Sequence, residues 1–217
     1  RLMLDRTIRE IKKYSNKNIK IAFDEWNTYV EATPPYFIEN YNIADAIYAA
    51  SLLNACINRG DIITNTGIYH LINVMGNYRI EKKKIWKTPT TLVLELYTKF
   101  HKGKILKSVI NSSNFVSFKL GKQPEYKNNK LIDSAVTMNG KHMCMSVVNK
   151  SSSEKILLKV PYLDRIAENY CIEGSNKVDL NTYANTSKVK IKKNSLKTSK
   201  GFLILPPHSI SVVLFNI

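Results

Sequence analysis

The group in this chain best placed for chemistry is a carboxylate at the end of a short apolar run. Residues 19–27 read Ile-Lys-Ile-Ala-Phe-Asp-Glu-Trp-Asn. In a β-strand, Ile19, Ile21, Phe23 and Glu25 alternate onto one face. Parallel α/β barrels keep their catalytic groups at the carboxyl ends of strands, and a carboxylate in a core strand is costly unless it is paired or used. Glu25 is therefore a candidate nucleophile or, in the alternative, a structural partner of a lysine or arginine.

Several neighbouring side chains could contact a ligand. Asp24 falls on the opposite face from Glu25, which favours a structural hydrogen-bonding role for it. Trp26 and Tyr29 are either aromatic walls for a sugar ring or core residues, and the sequence leaves both alternatives open. His70 follows a second predicted strand, where an isolated histidine is either a ligand contact or a structural residue. The other histidines have no metal-ligand spacing.

The composition narrows the classes of function. The 217 residues carry a net charge of +16, but the lysines are scattered without interleaved stacking aromatics, so we expect a solvated basic surface and no nucleic-acid partner. No stretch reaches the ~18 apolar residues of a membrane span, so we expect no membrane partner. Cys56, Cys144 and Cys171 lie far apart without a CxxC pair, which predicts buried thiols in a reducing, cytoplasmic compartment. Without a phosphate-binding glycine loop or a nucleophile elbow, we expect no cofactor and no metal.

The first 103 residues predict alternating helices and strands. Helical spacing, a capping box and a proline at a first helical position mark the helices. In order, we predict a helix over 2–15, a strand over 19–24, a helix from Asn42 and Asp45 to about Gly60, a strand over 61–66, an irregular stretch over 67–87 and a helix from Thr88-Pro89 to Phe100. This α-β-α-β-α order is typical of a parallel sheet with helical crossovers.

From residue 104 the pattern changes to short β-rich runs separated by polar turns. Asn139-Gly140 between two such runs predicts a tight hairpin. Many short strands of this kind indicate an antiparallel β-sandwich or jelly roll. The runs cover 104–110, 115–119, 131–138, 142–148, 154–160, 166–173, 188–192, 202–205 and 209–216. We therefore predict an α/β domain over 1–103 and an all-β domain over 104–217.

Ordered blocks along the whole chain carry a family likeness. The first blocks are Phe23-Asp24-Glu25-Trp26-Asn27, Tyr41 to Ala46, Leu53-Asn54-Ala55 and His70 to Val74, and the later ones are Ser134 to Val136, Val147 to Ser151 and Leu205 to Ser209. Together they resemble glycoside hydrolase family 51, whose best-known members are α-L-arabinofuranosidases. The ordered combination is more specific than the Asp-Glu-Trp-Asn block alone.

The resemblance implies a fold, a reaction and a role for Glu25. The fold would be the incomplete C-terminal part of a TIM (β/α)8 barrel, from helix 6 to helix 8, followed by the β-sandwich or jelly-roll domain. The reaction would be retaining release of terminal arabinofuranosyl groups from arabinose-containing polysaccharides or oligosaccharides. Glu25 would be the nucleophile, while a second carboxylic acid ~5 Å away protonates the leaving oxygen and then activates water. Endo-glucanase or β-xylosidase activity within the same family stays open.

The resemblance also implies substrate contacts, with two departures from the family pattern. Trp26, Tyr29 and His70 occupy the positions of the expected sugar contacts. Where the family often has a glutamine that contacts the sugar, this chain has His70, whose imidazole can still bond to a hydroxyl group. Where many members have a tryptophan four residues after the nucleophile, Tyr29 keeps an aromatic face.

The partner of Glu25 is not evident within the 217 residues. The acid/base of the family lies in an upstream Asn-Glu pair, whereas no Asn-Glu pair occurs here and only Glu10 precedes Glu25 among the glutamates. Two strands cannot close a barrel. We therefore expect this chain to need a missing N-terminal barrel portion and to be inactive alone. The alternative is a non-catalytic carbohydrate-binding or interaction protein built on the β domain. Uncovered strands also predict that the isolated chain aggregates or recruits a partner, for example a second copy in a homo-oligomer.

Overall fold

The computed structural model describes residues 2–28, 40–119 and 124–217. Within these ranges the helices are α1 (Leu2–Tyr14), α2 (Ile43–Ile57) and α3 (Pro89–Phe100). The strands are β1 (Ile21–Trp26), β2 (Ile63–Ile68), β3 (His70–Ile72), β4 (Gly76–Glu81), β5 (Lys84–Lys87), β6 (Lys104–Leu106), β7 (Asn114–Ser117), β8 (Tyr126–Lys130), β9 (Ile132–Asn139), β10 (His142–Asn149), β11 (Ile156–Leu158), β12 (Ile166–Glu173), β13 (Ile191–Lys193), β14 (Lys197–Ser199), β15 (Phe202–Leu205) and β16 (Ser209–Asn216). A 3-10 turn covers Leu163–Arg165.

The predicted helix starts in the middle of the chain are confirmed. The Asn42 side chain accepts hydrogen bonds from the first-turn amides of α2, and the Asp45 carboxylate accepts one from the Asn42 amide at 2.8 Å. These reciprocal bonds are the predicted capping box. Thr88 caps α3, and Pro89 occupies its first turn, where a missing amide hydrogen costs nothing.

The predicted parallel pairing of the first two strands is confirmed as well. β1 and β2 are connected through α2 and pair in parallel from Ile21–Ile63 to Trp26–Ile68. The prediction of an irregular stretch over 67–87 is wrong. β3 and β4 pair in parallel there, and β4 forms a hairpin with β5. These strands are short and mix lysine with isoleucine, so their hydrophobic pattern is weak.

The C-terminal half is a β-sandwich, as predicted. Its larger sheet has the order β13-β12-β16-β10-β9-β6 with antiparallel neighbours. Asn139-Gly140 joins β9 to β10 as the predicted hairpin, with Gly140 at a positive φ of 58°. A second sheet, β11-β15-β14, packs on one face of the first through a shared apolar cluster that includes Val213, Phe215 and Leu203.

The other face of the six-stranded sheet is covered by helices α2 and α3. Successive residues of one strand therefore enter different cores: Val212 packs against the helices, whereas Val213 packs against the second sheet. This double burial explains why Val212 to Phe215 of β16 are consecutive apolar residues rather than an alternating pattern. Because the helices share a core with the sheet, the predicted boundary between residues 103 and 104 does not coincide with a gap between two cores, and it stays a prediction.

A buried polar network joins the helices to this sheet. Asn54 of α2 is 1% exposed, and its amide nitrogen donates to Asp133 Oδ1 at 2.7 Å. Its amide oxygen accepts from the Tyr97 hydroxyl of α3 at 2.8 Å and from the Ser146 hydroxyl of β10 at 2.5 Å. Asp133 also forms a 2.7 Å ion pair with Lys150. Burial holds the pKa of the Tyr97 hydroxyl well above its usual value of 10.0, so the hydroxyl stays a donor.

We expect Asn54→Ala to lower the free energy of unfolding by about 3 kcal/mol, because it removes the hydrogen bonds to Asp133, Tyr97 and Ser146. Asn58→Ala is the matched control, since Asn58 lies one turn later, is exposed and donates a single bond to the Ser134 carbonyl. We expect that control to cost less than about 1 kcal/mol. Denaturant unfolding followed by circular dichroism measures both values, and equal losses would contradict the central role of Asn54.

The histidine that follows α3 is held in its neutral form. His101 Nδ1 lies 3.1 Å from the Thr137 hydroxyl of β9, and its Nε2 is buried without a hydrogen-bond partner among the described residues. Burial lowers the pKa of His101 from 6.5 to about 4, because it disfavours the imidazolium.

This shift predicts acid sensitivity within a defined pH window. Between about pH 6.5 and about pH 4 the unfolded chain binds a proton at this site that the folded chain does not, so stability must fall as the pH falls. The loss should approach about 3 kcal/mol at the lower end. Comparing the pH dependence of unfolding for the parent chain and His101→Gln isolates this contribution. Parallel curves for the two proteins would show that His101 does not carry it.

Candidate functional site

The site is built around the carboxyl end of β1, where the backbone departs from simple alternation. Between Phe23 and Trp26 the pairing with β2 shifts by one residue. Asp24 and Glu25 are consequently both exposed, while Trp26 is buried. The regular alternation that places Glu25 on the face of Ile21 and Phe23 is interrupted by this shift, so the face of Glu25 stays a prediction.

Glu25 lies at the predicted edge of the sheet, but in a different environment from the one expected. No ion pair reaches it from any part of the chain that the structure describes. Because the side chain is exposed, the cost of burying a charge does not explain its presence at this position. An exposed, unpaired carboxylate at a strand end is available to a ligand.

Trp26 is a core residue in this structure. It is 5% exposed and belongs to the cluster between the helices and the six-stranded sheet. Its indole nitrogen donates to the Thr66 hydroxyl of β2 at 2.7 Å. Of the two alternatives for Trp26, the core role matches this placement, and contact with a sugar stays a prediction. Tyr29, the other predicted aromatic wall, lies outside the described residues.

His70 lies directly beyond the paired ends of the two parallel strands. The amide of Tyr69 donates to the Trp26 carbonyl at 3.1 Å, which extends the pairing of β1 and β2 by one residue. The His70 ring is exposed, and its Nδ1 lies 2.8 Å from the carbonyl oxygen of Val74. Glu25, near the end of β1, and His70, just beyond the end of β2, thus lie at the same edge of the sheet.

A tight loop after His70 has an unusual backbone. Asn73 and Met75 have positive φ angles of 55° and 52°, a conformation that few residues other than glycine adopt. A Cβ on Gly76 would lie 2.5 Å from the Ile72 carbonyl carbon, so only glycine fits there. The Asn73 side chain accepts a hydrogen bond from the Ile80 amide at 2.7 Å. Such strain persists only where the surrounding structure holds it in place.

Two polar residues after Trp26 connect this loop to α2, and the sequence analysis did not identify them. The Asn27 amide nitrogen donates to the Met75 carbonyl at 2.8 Å. The Thr28 hydroxyl donates to Asp45 Oδ1 at 2.8 Å, so the capping carboxylate of α2 also holds the segment after β1. The one sequence signal for these contacts was the polar character of both residues directly after a strand.

A loop of the sandwich contacts the start of α2, the helix that holds the segment after β1. In the loop after β12, the carbonyls of Lys177 and Asp179 accept hydrogen bonds from the amides of Ala44 and Ile43 at the start of α2. Lys188 pairs with Asp179 at 2.7 Å and lowers the pKa of that carboxyl to about 2. The loop therefore keeps its geometry through an anionic group that stays charged over the physiological range.

A second contact from the sandwich reaches the sheet that carries the strained loop. The Trp86 indole of β5 donates to the Asn181 carbonyl at 3.1 Å, and the Asn181 side chain donates to the Lys87 carbonyl at 2.9 Å. Both α2 and β5 are thus hydrogen-bonded to one segment of the sandwich, residues 177–181.

The other groups considered in the sequence add no second candidate site among the described residues. The three cysteines are free and buried, as predicted, and burial raises the pKa of Cys144 and of Cys171 to about 12, which keeps them as thiols. In the described ranges, no three His, Cys, Asp or Glu side chains come together as a metal site. None of the described helices is long and apolar enough to cross a membrane. A cleft of about 1220 Å³ between α2 and residues 104–134 does not include Glu25, Trp26 or His70 in its lining.

An exposed carboxylate at the carboxyl end of a parallel strand is one half of the carboxylate pair that glycoside hydrolysis uses. The family model of the alpha-L-arabinofuranosidase C-terminal domain matches residues 24–209. The chain therefore belongs to this family and is a C-terminal portion of the glycoside hydrolase family 51 type.

Curated relatives are similar over part of their length. The chain is 24% identical over 193 residues to the intracellular exo-alpha-(1->5)-L-arabinofuranosidase of Streptomyces lividans, covering 81% of this chain and 28% of the relative. It is 23% identical over 163 residues to the enzyme of the same name from Halalkalibacterium halodurans, covering 68% of this chain and 31% of the relative. The chain thus spans less than one third of these relatives.

Solved structures show the same fold. The alpha-L-arabinofuranosidase of Thermotoga maritima, solved as an arabinose complex, superposes with a TM-score of 0.86 at 22% identity, over 99% of this chain and 48% of that chain. The thermostable GH51 alpha-L-arabinofuranosidase of Thermotoga petrophila superposes with a TM-score of 0.85 at 23% identity, with the same coverage of both chains. The chain accordingly corresponds to about half of each solved relative.

Proposed function

We propose that this chain contributes the catalytic nucleophile, Glu25, to a retaining α-L-arabinofuranosidase. Its substrate is a terminal arabinofuranosyl group of an arabinose-containing polysaccharide or oligosaccharide. The observation that carries the proposal is the position of Glu25, exposed at the carboxyl end of β1 beside the parallel end of β2. The family match begins at the adjacent Asp24.

The chemistry follows from a free carboxylate at this position. Glu25 attacks the anomeric carbon as the bond to the leaving oxygen breaks, and the sugar becomes covalently attached to the carboxylate. Water then attacks the same carbon and releases the sugar with its original configuration. A carboxylic acid about 5 Å from the nucleophile must give a proton to the leaving oxygen and later accept one from water.

That acid/base group comes from outside the 217 residues. In this proposal β1 and β2 are the last two strands of a (β/α)8 barrel, and the preceding strands complete it. Among the described residues Asp24 is the nearest carboxylate in sequence, but it adjoins Glu25 on the same strand and does not face it across a substrate. Because hydrolysis needs both groups, this chain alone forms half of a catalytic pair.

Contact with the sugar is assigned to His70 and Tyr29, with Glu25 beneath the anomeric carbon. His70 is supported by its exposed ring at the start of β3, just beyond the end of β2. Trp26 supports this site indirectly, because the hydrogen bond from its indole nitrogen to the Thr66 hydroxyl links β1 to β2.

The experiment compares two proteins on 4-nitrophenyl α-L-arabinofuranoside. The 217-residue chain alone should show no turnover, since it lacks the general acid. A longer protein that includes the upstream coding sequence should hydrolyse the substrate. In that longer protein, Glu25→Gln should lower kcat by about 10³-fold or more, while the matched control Asp24→Asn should retain activity within about tenfold.

Azide gives the stereochemical test of the same role. With Glu25→Ala in the longer protein, azide can occupy the vacated space and attack the α-arabinofuranoside, so the product should be the β-configured arabinofuranosyl azide. Robust hydrolysis by the 217-residue chain alone would overturn the proposal that the general acid lies outside this chain. A fully active Glu25→Gln variant would overturn the assignment of Glu25 as the nucleophile. Turnover of an aryl β-xyloside or of a glucan in place of the arabinoside would overturn the substrate assignment.

A further inference from the structure

The bond between His70 and Val74 determines which ring nitrogen carries the hydrogen. Nδ1 lies 2.8 Å from a backbone carbonyl oxygen. A carbonyl only accepts hydrogen bonds, so Nδ1 must be the protonated nitrogen of the neutral ring. Nε2 then keeps a lone pair, and it has no hydrogen-bond partner among the described residues. The exposed ring therefore offers an acceptor.

The Val74 carbonyl can impose this tautomer only if its own loop is rigid. On one side, the Asn73 carbonyl accepts hydrogen bonds from the Gly76 amide at 3.1 Å and from the Arg79 guanidinium at 2.7 Å. On the other side, Met75 keeps a positive φ without the freedom of a glycine. A backbone in this conformation relaxes unless a neighbouring group holds it.

Asn27 supplies the missing restraint. Its side-chain nitrogen donates to the carbonyl of Met75, which is the residue directly after Val74. The Asn27 oxygen is occupied by the Thr28 amide at 2.9 Å, and this fixes the orientation of the side-chain amide. The residue two positions after Glu25 therefore holds the loop that holds His70.

We propose that Asn27 is a positioning residue that fixes His70 in the Nδ1–H tautomer, so that Nε2 accepts a hydrogen bond from a hydroxyl group of the arabinofuranosyl unit. The sugar contact rests on the proposed function, whereas the tautomer rests on the contacts of Asn27, Val74 and Met75 alone. A glutamine amide can donate and accept at once, but a neutral imidazole in this tautomer only accepts at Nε2. His70 therefore selects for a hydroxyl group that donates.

The tautomer can be read directly by nitrogen-15 NMR of the 217-residue chain labelled at its four histidines. Magic-angle spinning of the sedimented protein at about pH 8, above the usual range of imidazole titration, makes the measurement independent of oligomeric state. The His70→Gln variant identifies the signals of His70. In the parent chain, Nδ1 should be the protonated nitrogen and Nε2 the unprotonated one.

Two variants test whether Asn27 imposes this state. Asn27→Asp keeps the shape of the side chain but cannot donate to Met75, and Gly76→Ala disturbs the same loop by a different route. Both should give a mixture of the two His70 tautomers. Asn128→Asp, a change at an exposed position of β8, is the matched control and should leave the signals unchanged. An Nε2–H ring in the parent chain, or an unaltered tautomer in Asn27→Asp, overturns the proposal.

The sugar contact is tested separately in the longer protein. There Asn27→Asp should raise KM for the aryl arabinofuranoside by about tenfold, the equivalent of about one hydrogen bond, with kcat changed far less. An unchanged KM alongside a changed tautomer would overturn the sugar contact of His70. If the parent longer protein hydrolyses no arabinoside at all, the proposed function fails, while the NMR result still decides the role of Asn27.

Discussion

The fold depends on the buried side chain of Asn54, which brings α2, α3 and the six-stranded sheet to one point. Its amide satisfies Asp133, Tyr97 and Ser146 together. In a low-dielectric interior such a network is favourable only when every member is paired, so it admits one arrangement of helices on the sheet. The apolar cluster around it supplies most of the burial, but apolar contacts alone would tolerate small rotations of the helices. The polar network fixes one point at which α2, α3 and the sheet meet.

From this fixed frame, restraints pass to Glu25 through a short series of contacts. The loop after β12 caps the first turn of α2, the Asp45 carboxylate at that turn holds Thr28, and the adjacent Asn27 holds Met75. Each step is a hydrogen bond between groups on different elements. The sandwich thereby constrains the segments after β1 and β2. This arrangement gives a physical reason for the family to keep the β-sandwich together with the part of the chain that carries β1 and β2.

The sequence predicted local features well and contacts between distant segments poorly. The capping box of Asn42 and the Asn139-Gly140 turn were predictable because a few neighbouring residues determine each one. The sheet from β3 to β5 was missed because its pairing needs positive φ angles at Asn73 and Met75. The sequence around these two residues gives no sign of that backbone conformation. Sequence alternation placed Glu25 on the face of Phe23, but it does not contain the register shift between β1 and β2 before Trp26. The role of Asn27 depends on a partner 48 residues away, which no local pattern contains.

The central claim is that Glu25 forms a covalent bond to the sugar, and the most direct test is chemical labelling. An epoxide with the configuration of α-L-arabinofuranose traps the nucleophile of a retaining enzyme as a stable ester. After the longer protein is inactivated with this reagent, peptide mass mapping locates the added sugar ring. The account predicts a single label, on Glu25, that excess arabinose protects against. Inactivation with the label on any other carboxylate would contradict it.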